Sequence, residues 1–245
     1  MRFDVITLFP ELFAPFLTAG INRRAFEAKD GIKLVDVRLW NPRDFAQGTY
    51  RRIDDRPFGG GPGMVMMAEP LRLCLEAIQT ERQQAKSPSV AAVAKAPVAL
   101  FSPIGQKLDH ANVEKWSQSE GAILVCGRYE GIDQRFIEAY VDIQISLGDF
   151  ILSGGEIAAM ALLDAVARLQ PGVLGDADSH HLDSFNPALD GFLDCPHYTR
   201  PEVWEDKPVP EVLLSGHHVN IEQWRQEQRL KLTTELRPDL LKKSL

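Results

Sequence analysis

Two glycine-rich loops, each directly after an apolar run, carry the residues of this chain best suited to hold a small polar ligand. The run 123–126 leads into the loop 127–131, and the run 143–147 leads into a loop that ends at Gly155. In open α/β sheets, ligands bind at the loops that follow the carboxyl ends of strands. Glycine lets the backbone approach a ligand closely because it has no Cβ atom. We therefore expect a small-molecule pocket where these loops meet.

Acidic side chains beside the loops bear on the class of ligand. Glu130 and Asp133 could meet a cationic or hydroxyl-rich ligand, although each could equally cap a helix or face water. The glycines lack the Gly-x-Gly-x-x-Gly order of a dinucleotide fold, since Gly148 lies too far from Gly154. This disfavours a nicotinamide cofactor and remains compatible with an adenine-bearing ligand held by backbone groups.

Two residues downstream of the loops could take part in proton transfer. Asp183 could act as a general base, and Arg168 could stabilise an oxygen that gains charge. From the residues alone both roles stay open. A zinc site is disfavoured, because the spacing of the nearby histidines and cysteine matches no standard zinc motif; these are His180, His181, Cys195 and His197.

A second glycine-rich segment, residues 50–64, contains three arginines, two aspartates and the run Gly59–Gly63. Such a run forms neither a helix nor a regular strand. The segment lacks the Gly-Lys-Ser/Thr of a phosphate-binding P-loop. It is therefore either a mobile active-site loop or an ordinary surface loop.

Alternating apolar and amphipathic segments predict the elements that position these residues. Strands are expected at 3–9, 32–39, 98–101, 123–126 and 143–147. Helices are expected at 10–29 with a break near Gly20, and at 68–84, 109–120 and 156–169. Strands that alternate with helices form a mostly parallel sheet covered by helices on both faces, so the fold class is α/β.

The pattern changes after residue 172. Residues 173–186 lack periodicity and predict a linker or lid, whereas 187–245 predict a small helical domain with no convincing strand. The longest helix there is expected to begin after Asn220 as its N-cap. The expected organisation is an α/β domain (1–172), a linker or lid (173–186) and a helical domain (187–245).

Composition excludes several classes of protein. With 44% hydrophobic residues among 245 the chain is too apolar for disorder, and no apolar run reaches the roughly 20 residues of a membrane helix. The three scattered cysteines indicate a reducing, cytoplasmic location rather than a disulfide framework. The net charge of −7 opposes a strongly basic nucleic-acid binder, but residues 221–245 carry +2. That tail is either a phosphate-contacting surface or a solvated helix face.

Seven motifs spread over nearly the whole chain resemble those of the bacterial tRNA (guanine-N1)-methyltransferases, the TrmD type of the SPOUT class. They are Ile6–Glu11, Asp54–Met64, Leu124–Asp133, Leu147–Glu156, Pro171–Gly175, Gly191–Pro201 and Ser215–His218. The resemblance implies transfer of a methyl group from S-adenosylmethionine to N1 of the guanine just 3′ of the anticodon in tRNA. It further implies a deep trefoil knot, which generic topology rules would reject, and a homodimer whose active site is shared between subunits.

Carried over by position, the resemblance assigns roles to individual residues. It makes Asp183 the general base and Arg168 the residue that stabilises charge on guanine O6, and it makes residues 187–245 the tRNA-binding domain. It places the methyl donor against Leu100, Phe101, Ser102, Pro103, Gly127, Tyr129, Glu130, Gly131, Leu147, Gly148, Phe150, Leu152, Gly154 and Gly155. Mg²⁺ is described as assisting the family, but no metal site is recognisable in this sequence.

Two features of the sequence depart from the family pattern, and three alternative functions can be compared with it. The segment 81–95 looks longer than usual and is expected to enlarge a surface loop, and Phe150 stands where tyrosine is common. An ATP-dependent transferase would need a lysine near Gly59–Gly63, and a non-enzymatic RNA-binding protein should be more basic. The nearest rival is another SPOUT enzyme that modifies a different base, which the motifs after residue 190 disfavour.

Overall fold

A computed structural model describes residues 1–85, 95–175 and 179–241. The chain divides into two compact units, Met1–Leu174 and Gly175–Leu245. The predicted insertion 81–95 and the predicted linker 173–186 each fall partly outside the described residues, at 86–94 and 176–178. Among the residues that the structure describes, no helix is long and apolar enough to span a bilayer.

The strands of the first unit are β1 (Arg2–Ile6), β2 (Asp36–Trp40), β3 (Asp54–Asp55), β4 (Val65–Met66), β5 (Val98–Lys107), β6 (Ile123–Val125) and β7 (Ile143–Ser146). Five of them form a parallel sheet with the order β2-β1-β6-β5-β7, and β3 and β4 form a short antiparallel pair. The helices are α1 (Phe13–Thr18), α2 (Arg23–Phe26), α3 (Ala68–Gln84), α4 (His110–Ser117), α5 (Gln134–Tyr140) and α6 (Glu156–Arg168). The predicted α/β class with a parallel sheet is confirmed.

Two apolar cores lie on opposite faces of the sheet because successive strand side chains point to opposite sides. In β1, Phe3 and Val5 join the core that contains α6 residues such as Leu162. The next residue, Ile6, joins the core that contains α3 residues such as Leu75. Helices therefore cover both faces of the sheet, as the alternating pattern predicts.

The break expected near Gly20 is present: the stretch 10–29 contains the separate helices α1 and α2, with Gly20 between them at φ +70°. Other boundaries of the first unit differ from the expected ones. The expected strand 98–101 continues as β5 to Lys107, because Phe101 and Gln106 both pair with Ile145 and the intervening residues bulge outward. α6 ends one residue earlier than expected, at Arg168.

A buried carboxylate ties the first strand to α3. Asp4 is fully buried and accepts hydrogen bonds from Arg2 Nη2 at 2.7 Å, Arg82 Nη1 at 2.8 Å and Trp40 Nε1 at 2.8 Å. Buried charges are stable only when paired and hydrogen-bonded. This network joins β1, β2 and α3 through side chains.

The second unit is mainly helical and irregular. Its helices are α7 (Glu211–Leu214), α8 (His218–Leu236) and α9 (Pro238–Leu241), and two 3₁₀ turns cover Ser179–Leu182 and Pro187–Leu189. Two features differ from expectation. A hairpin of β8 (Val203–Trp204) and β9 (Lys207–Pro208) is present where no strand was expected, and α8 begins at His218 rather than after Asn220.

Candidate functional site

A cavity of about 460 Å³ lies in the first unit beside the middle of β5 and beyond the carboxyl ends of β6 and β7. Its volume falls within the roughly 300–1,000 Å³ range of small-molecule sites. Residues of β5 and the loops that follow β6 and β7 form its walls. This is the position at which open parallel sheets bind ligands.

All fourteen residues expected to hold the methyl donor line this cavity. They come from the middle of β5 (Leu100–Pro103), the loop after β6 (Gly127–Gly131) and the loop after β7 (Leu147–Gly155). The structure thus brings together residues that lie up to 55 positions apart in the sequence. Their role in binding the donor stays a prediction.

Close backbone packing explains two of the glycines. The N–H of Gly155 donates to the carbonyl of Gly127 at 3.0 Å, so the two loops touch. A Cβ atom on Gly155 would lie 2.8 Å from the Cα of Cys126, a distance that real Cβ atoms do not show. Gly148 adopts φ +155°, a conformation that side chains other than glycine rarely adopt.

Eight further residues line the cavity and were not in the expected set. They are Arg128, Ile132, Ile137, Ile145, Ser146, Ile151, Ser153 and Ala158. Ser146 anchors the loop after β7, since its hydroxyl accepts from the N–H of Gly148 at 3.1 Å. Its place at the end of the apolar run 143–147 is a signal that sequence reasoning could have used. The apolar members supply walls for a ring or methylene group.

The two acids near the loops have different surroundings. Glu130 is exposed and lines the cavity. Asp133 instead caps α5, accepting from the N–H of Arg135 at 3.0 Å, and also binds the Arg135 side chain. The hydrogen bond from Arg135 lowers the pKa of Asp133 below its ordinary value. Of the two interpretations open for Asp133, the capping role is the one that the structure supports.

The segment 50–64 is joined to the loop after β6. The N–H of Glu130 donates to the carbonyl of Met64 at 3.0 Å, and Met66 pairs with Ile132 in a parallel bridge. Phe58, at the tip of the segment, is fully exposed. The end of the segment at Met64 is therefore hydrogen-bonded to the cavity wall, whereas the tip at Phe58 is exposed to solvent.

Arg168 and Asp183 belong to different compact units. Arg168 is the last residue of α6 and is half-buried. Asp183 follows the 3₁₀ turn Ser179–Leu182, is half-buried, and accepts at its backbone carbonyl from the N–H of Asn186 at 3.2 Å. Each unit therefore presents one of the two candidate catalytic residues.

The cysteines and histidines do not form a metal centre in the described part of the chain, where no three metal-ligating side chains cluster. His197 instead contacts Asp194 at 2.9 Å. All three cysteines are buried and free. Burial raises the pKa of Cys74 to about 12 and raises that of Cys126 well above its usual value, to which the Glu156 carboxylate adds. Neither of these two thiols is therefore a thiolate nucleophile at neutral pH.

A parallel sheet with a cavity beyond the carboxyl ends of its strands is the arrangement of the α/β proteins that bind small ligands. The family model for tRNA (guanine-1)-methyltransferase TrmD matches residues 1–243. The chain belongs to this family of tRNA-modifying enzymes, and the resemblance seen in the sequence is confirmed.

Several curated relatives carry the same description, tRNA (guanine-N(1)-)-methyltransferase. One from Albidiferax ferrireducens is 72% identical, over 98% of this chain and 92% of the relative. One from Polaromonas sp. is 70% identical, over 100% and 90%. One from Bordetella pertussis is 53% identical, over 100% and 91%. The similarity thus spans both compact units.

Proposed function

We propose that this chain transfers the methyl group of S-adenosylmethionine to N1 of the guanine 3′-adjacent to the anticodon in tRNA. The observation that carries the proposal is the convergence of all fourteen expected donor residues on one cavity. Family membership supports a methyltransferase that acts on tRNA guanine. The donor, the tRNA position and the residue roles are the further steps proposed here.

The cavity fits the chemistry of the proposed donor. Leu100, Ile132 and Ile145 give it an apolar wall suited to an adenine ring, and Glu130 gives it a carboxylate suited to a cationic group. Backbone groups of the glycine-rich loops are open to approach because no Cβ stands in the way. When bound, S-adenosylmethionine supplies an electrophilic methyl group on a sulfonium.

Asp183 and Arg168 have different roles at the guanine. N1 carries a proton at neutral pH, and it becomes a good nucleophile only when that proton leaves. Asp183 accepts the proton as general base, which typically contributes 10²–10⁴-fold. Arg168 donates hydrogen bonds to O6, where negative charge collects. The loops of the cavity orient the methyl group for in-line attack.

The remaining parts of the proposal concern assembly. The chain is a homodimer in which two subunits share each active site, and residues 187–245 bind the tRNA, with 173–186 as linker or lid. The loops after β6 and β7 belong to a trefoil knot, to which the hydrogen bond between Gly155 and Gly127 and the placement of β5 between β6 and β7 lend support. No three metal-ligating side chains cluster in the described part of the chain, so no residue is assigned to Mg²⁺.

The test is methyl transfer from labelled S-adenosylmethionine to two tRNA transcripts. One transcript carries guanine 3′ of the anticodon and the other carries adenine there. We expect label on the first transcript only. Label on both would move the target base elsewhere in the tRNA, and label on neither would overturn the proposed substrate.

A further inference from the structure

A buried carboxylate beneath the cavity connects three separate parts of the first unit. Glu156, in the first turn of α6, is 1% exposed. Its Oε1 accepts from the hydroxyl of Thr7 at 2.9 Å, and its Oε2 lies 2.9 Å from Arg128 Nε. Thr7 follows β1 and Arg128 lies in the loop after β6, so one side chain joins both to the start of α6.

Arg128 extends this network to the other cavity loop. Its Nη1 donates to the carbonyl of Ser153 at 3.1 Å, and its guanidinium lies 4.5 Å from the ring centroid of Phe9. A guanidinium over an aromatic face is attracted by the ring quadrupole. Arg128 therefore connects its own loop, the one after β6, to the loop after β7.

Gly154 leaves room for the side chains of Arg128 and Glu156. A Cβ atom on Gly154 would collide with Arg128 Nε and would lie 2.5 Å from Glu156 Oε2. The backbone of Gly154 is not in the left-handed region, so its φ does not require glycine. A side chain at this position would therefore have to displace the charged pair.

We propose that Arg128 and Glu156 are positioning residues that set the affinity for the methyl donor. A buried carboxylate costs free energy unless it stays paired, so the pair locks the two loops at one separation. The cavity lies between those loops, and their separation fixes its shape. The inference rests on the proposed function in taking S-adenosylmethionine as the ligand.

The position of Arg128 and Glu156 predicts that substituting them weakens donor binding selectively. The side chain of Glu156 is sealed from the cavity, so it acts on the ligand through the loops that it holds. Weakening the pair should loosen donor binding while leaving the tRNA contacts and the chemical step intact. A merely structural role would instead lower the apparent kcat in proportion to the folded fraction and leave the donor KM unchanged.

The test compares Glu156→Gln and Arg128→Lys with the wild-type enzyme. We expect about tenfold weaker S-adenosylmethionine binding in each by calorimetry, a matching rise in the donor KM, and kcat at saturating donor within about twofold. The tRNA KM should not change. Glu76→Gln is the matched control, because its ion pair with Arg72 is exposed on α3.

A double-mutant cycle covers the case in which a charge-neutralising variant folds poorly. Gly154→Ala should weaken donor binding in the wild-type background and should add less in the Arg128→Ala background, where the collision with Arg128 is gone and only the close contact with Glu156 Oε2 remains. The same penalty in both backgrounds would overturn the inference. So would wild-type donor affinity in both Glu156→Gln and Arg128→Lys, or a lower apparent kcat with an unchanged donor KM. Failure of the wild-type enzyme to bind the donor would overturn the proposed function as well.

Discussion

In the proposed reaction Asp183 removes the proton from guanine N1, and the methyl group cannot add to N1 until that proton has left. We expect Asp183→Asn to fold, to bind S-adenosylmethionine with wild-type affinity and to lose at least about 100-fold in kcat. Asparagine keeps the shape of the side chain and lacks its basicity. Single-turnover methyl transfer, with calorimetry for the donor, measures both quantities. Undiminished turnover would remove Asp183 from the role of base.

Arg168 is expected to act on the charge that develops rather than on donor binding. Arg168→Ala should lower kcat by about 100-fold, the usual cost of losing one donor to an oxyanion, with a much smaller change in donor affinity. The comparison is between kcat and the dissociation constant of S-adenosylmethionine in the same preparation. A selective loss of donor affinity would instead make Arg168 a binding residue.

Among the elements of the first unit, the hydrogen-bond network of Asp4 predicts a large loss of folding stability when Asp4 is substituted. Asp4→Asn leaves Arg2 and Arg82 beside a neutral amide at a buried position. Removing one partner of a buried ion pair costs about 3–5 kcal/mol of unfolding free energy, whereas Glu76→Gln, at an exposed pair, should cost less than about 1 kcal/mol. Urea unfolding measures the difference. Equal losses in the two variants would contradict the structural role of Asp4.

The sequence predicted those elements whose signal is local. α3 begins and ends at the predicted residues, Ala68 and Gln84, because its apolar positions repeat with the helical period over seventeen residues. The cavity loops were also predictable, since each follows an apolar run and is marked by glycines. Short elements without such periodicity, such as β8 and β9, were not.

What the sequence could not predict depends on contacts between distant residues. β5 runs to Lys107 because β7 continues to pair with it past a bulge, and no local pattern encodes that pairing. Thr7 and Glu156 are hydrogen-bonded although 149 positions separate them. A glutamate at the start of a helix is common, so nothing in the sequence distinguished Glu156 from a surface acid.

At the scale of the whole molecule, the proposed homodimer makes a prediction about mixed subunits. Asp183→Asn and Arg168→Ala are each expected to be inactive alone. If each site takes one of these residues from each subunit, random mixing gives half heterodimers with one intact site each, or about a quarter of wild-type activity. Co-expression with two affinity tags allows the heterodimer to be isolated and assayed. No recovered activity would place both residues of a site in one subunit.

If the first unit holds a methyl donor for attack by one guanine N1 in tRNA, the added methyl group must be found on that atom. The measurement is nuclease digestion and fragment mass spectrometry of tRNA after reaction with wild-type enzyme and S-adenosylmethionine, with the Asp183→Asn enzyme as control. We predict N1-methylguanosine at the position 3′-adjacent to the anticodon, and none with the control. A methyl group on another atom or at another position would contradict the account.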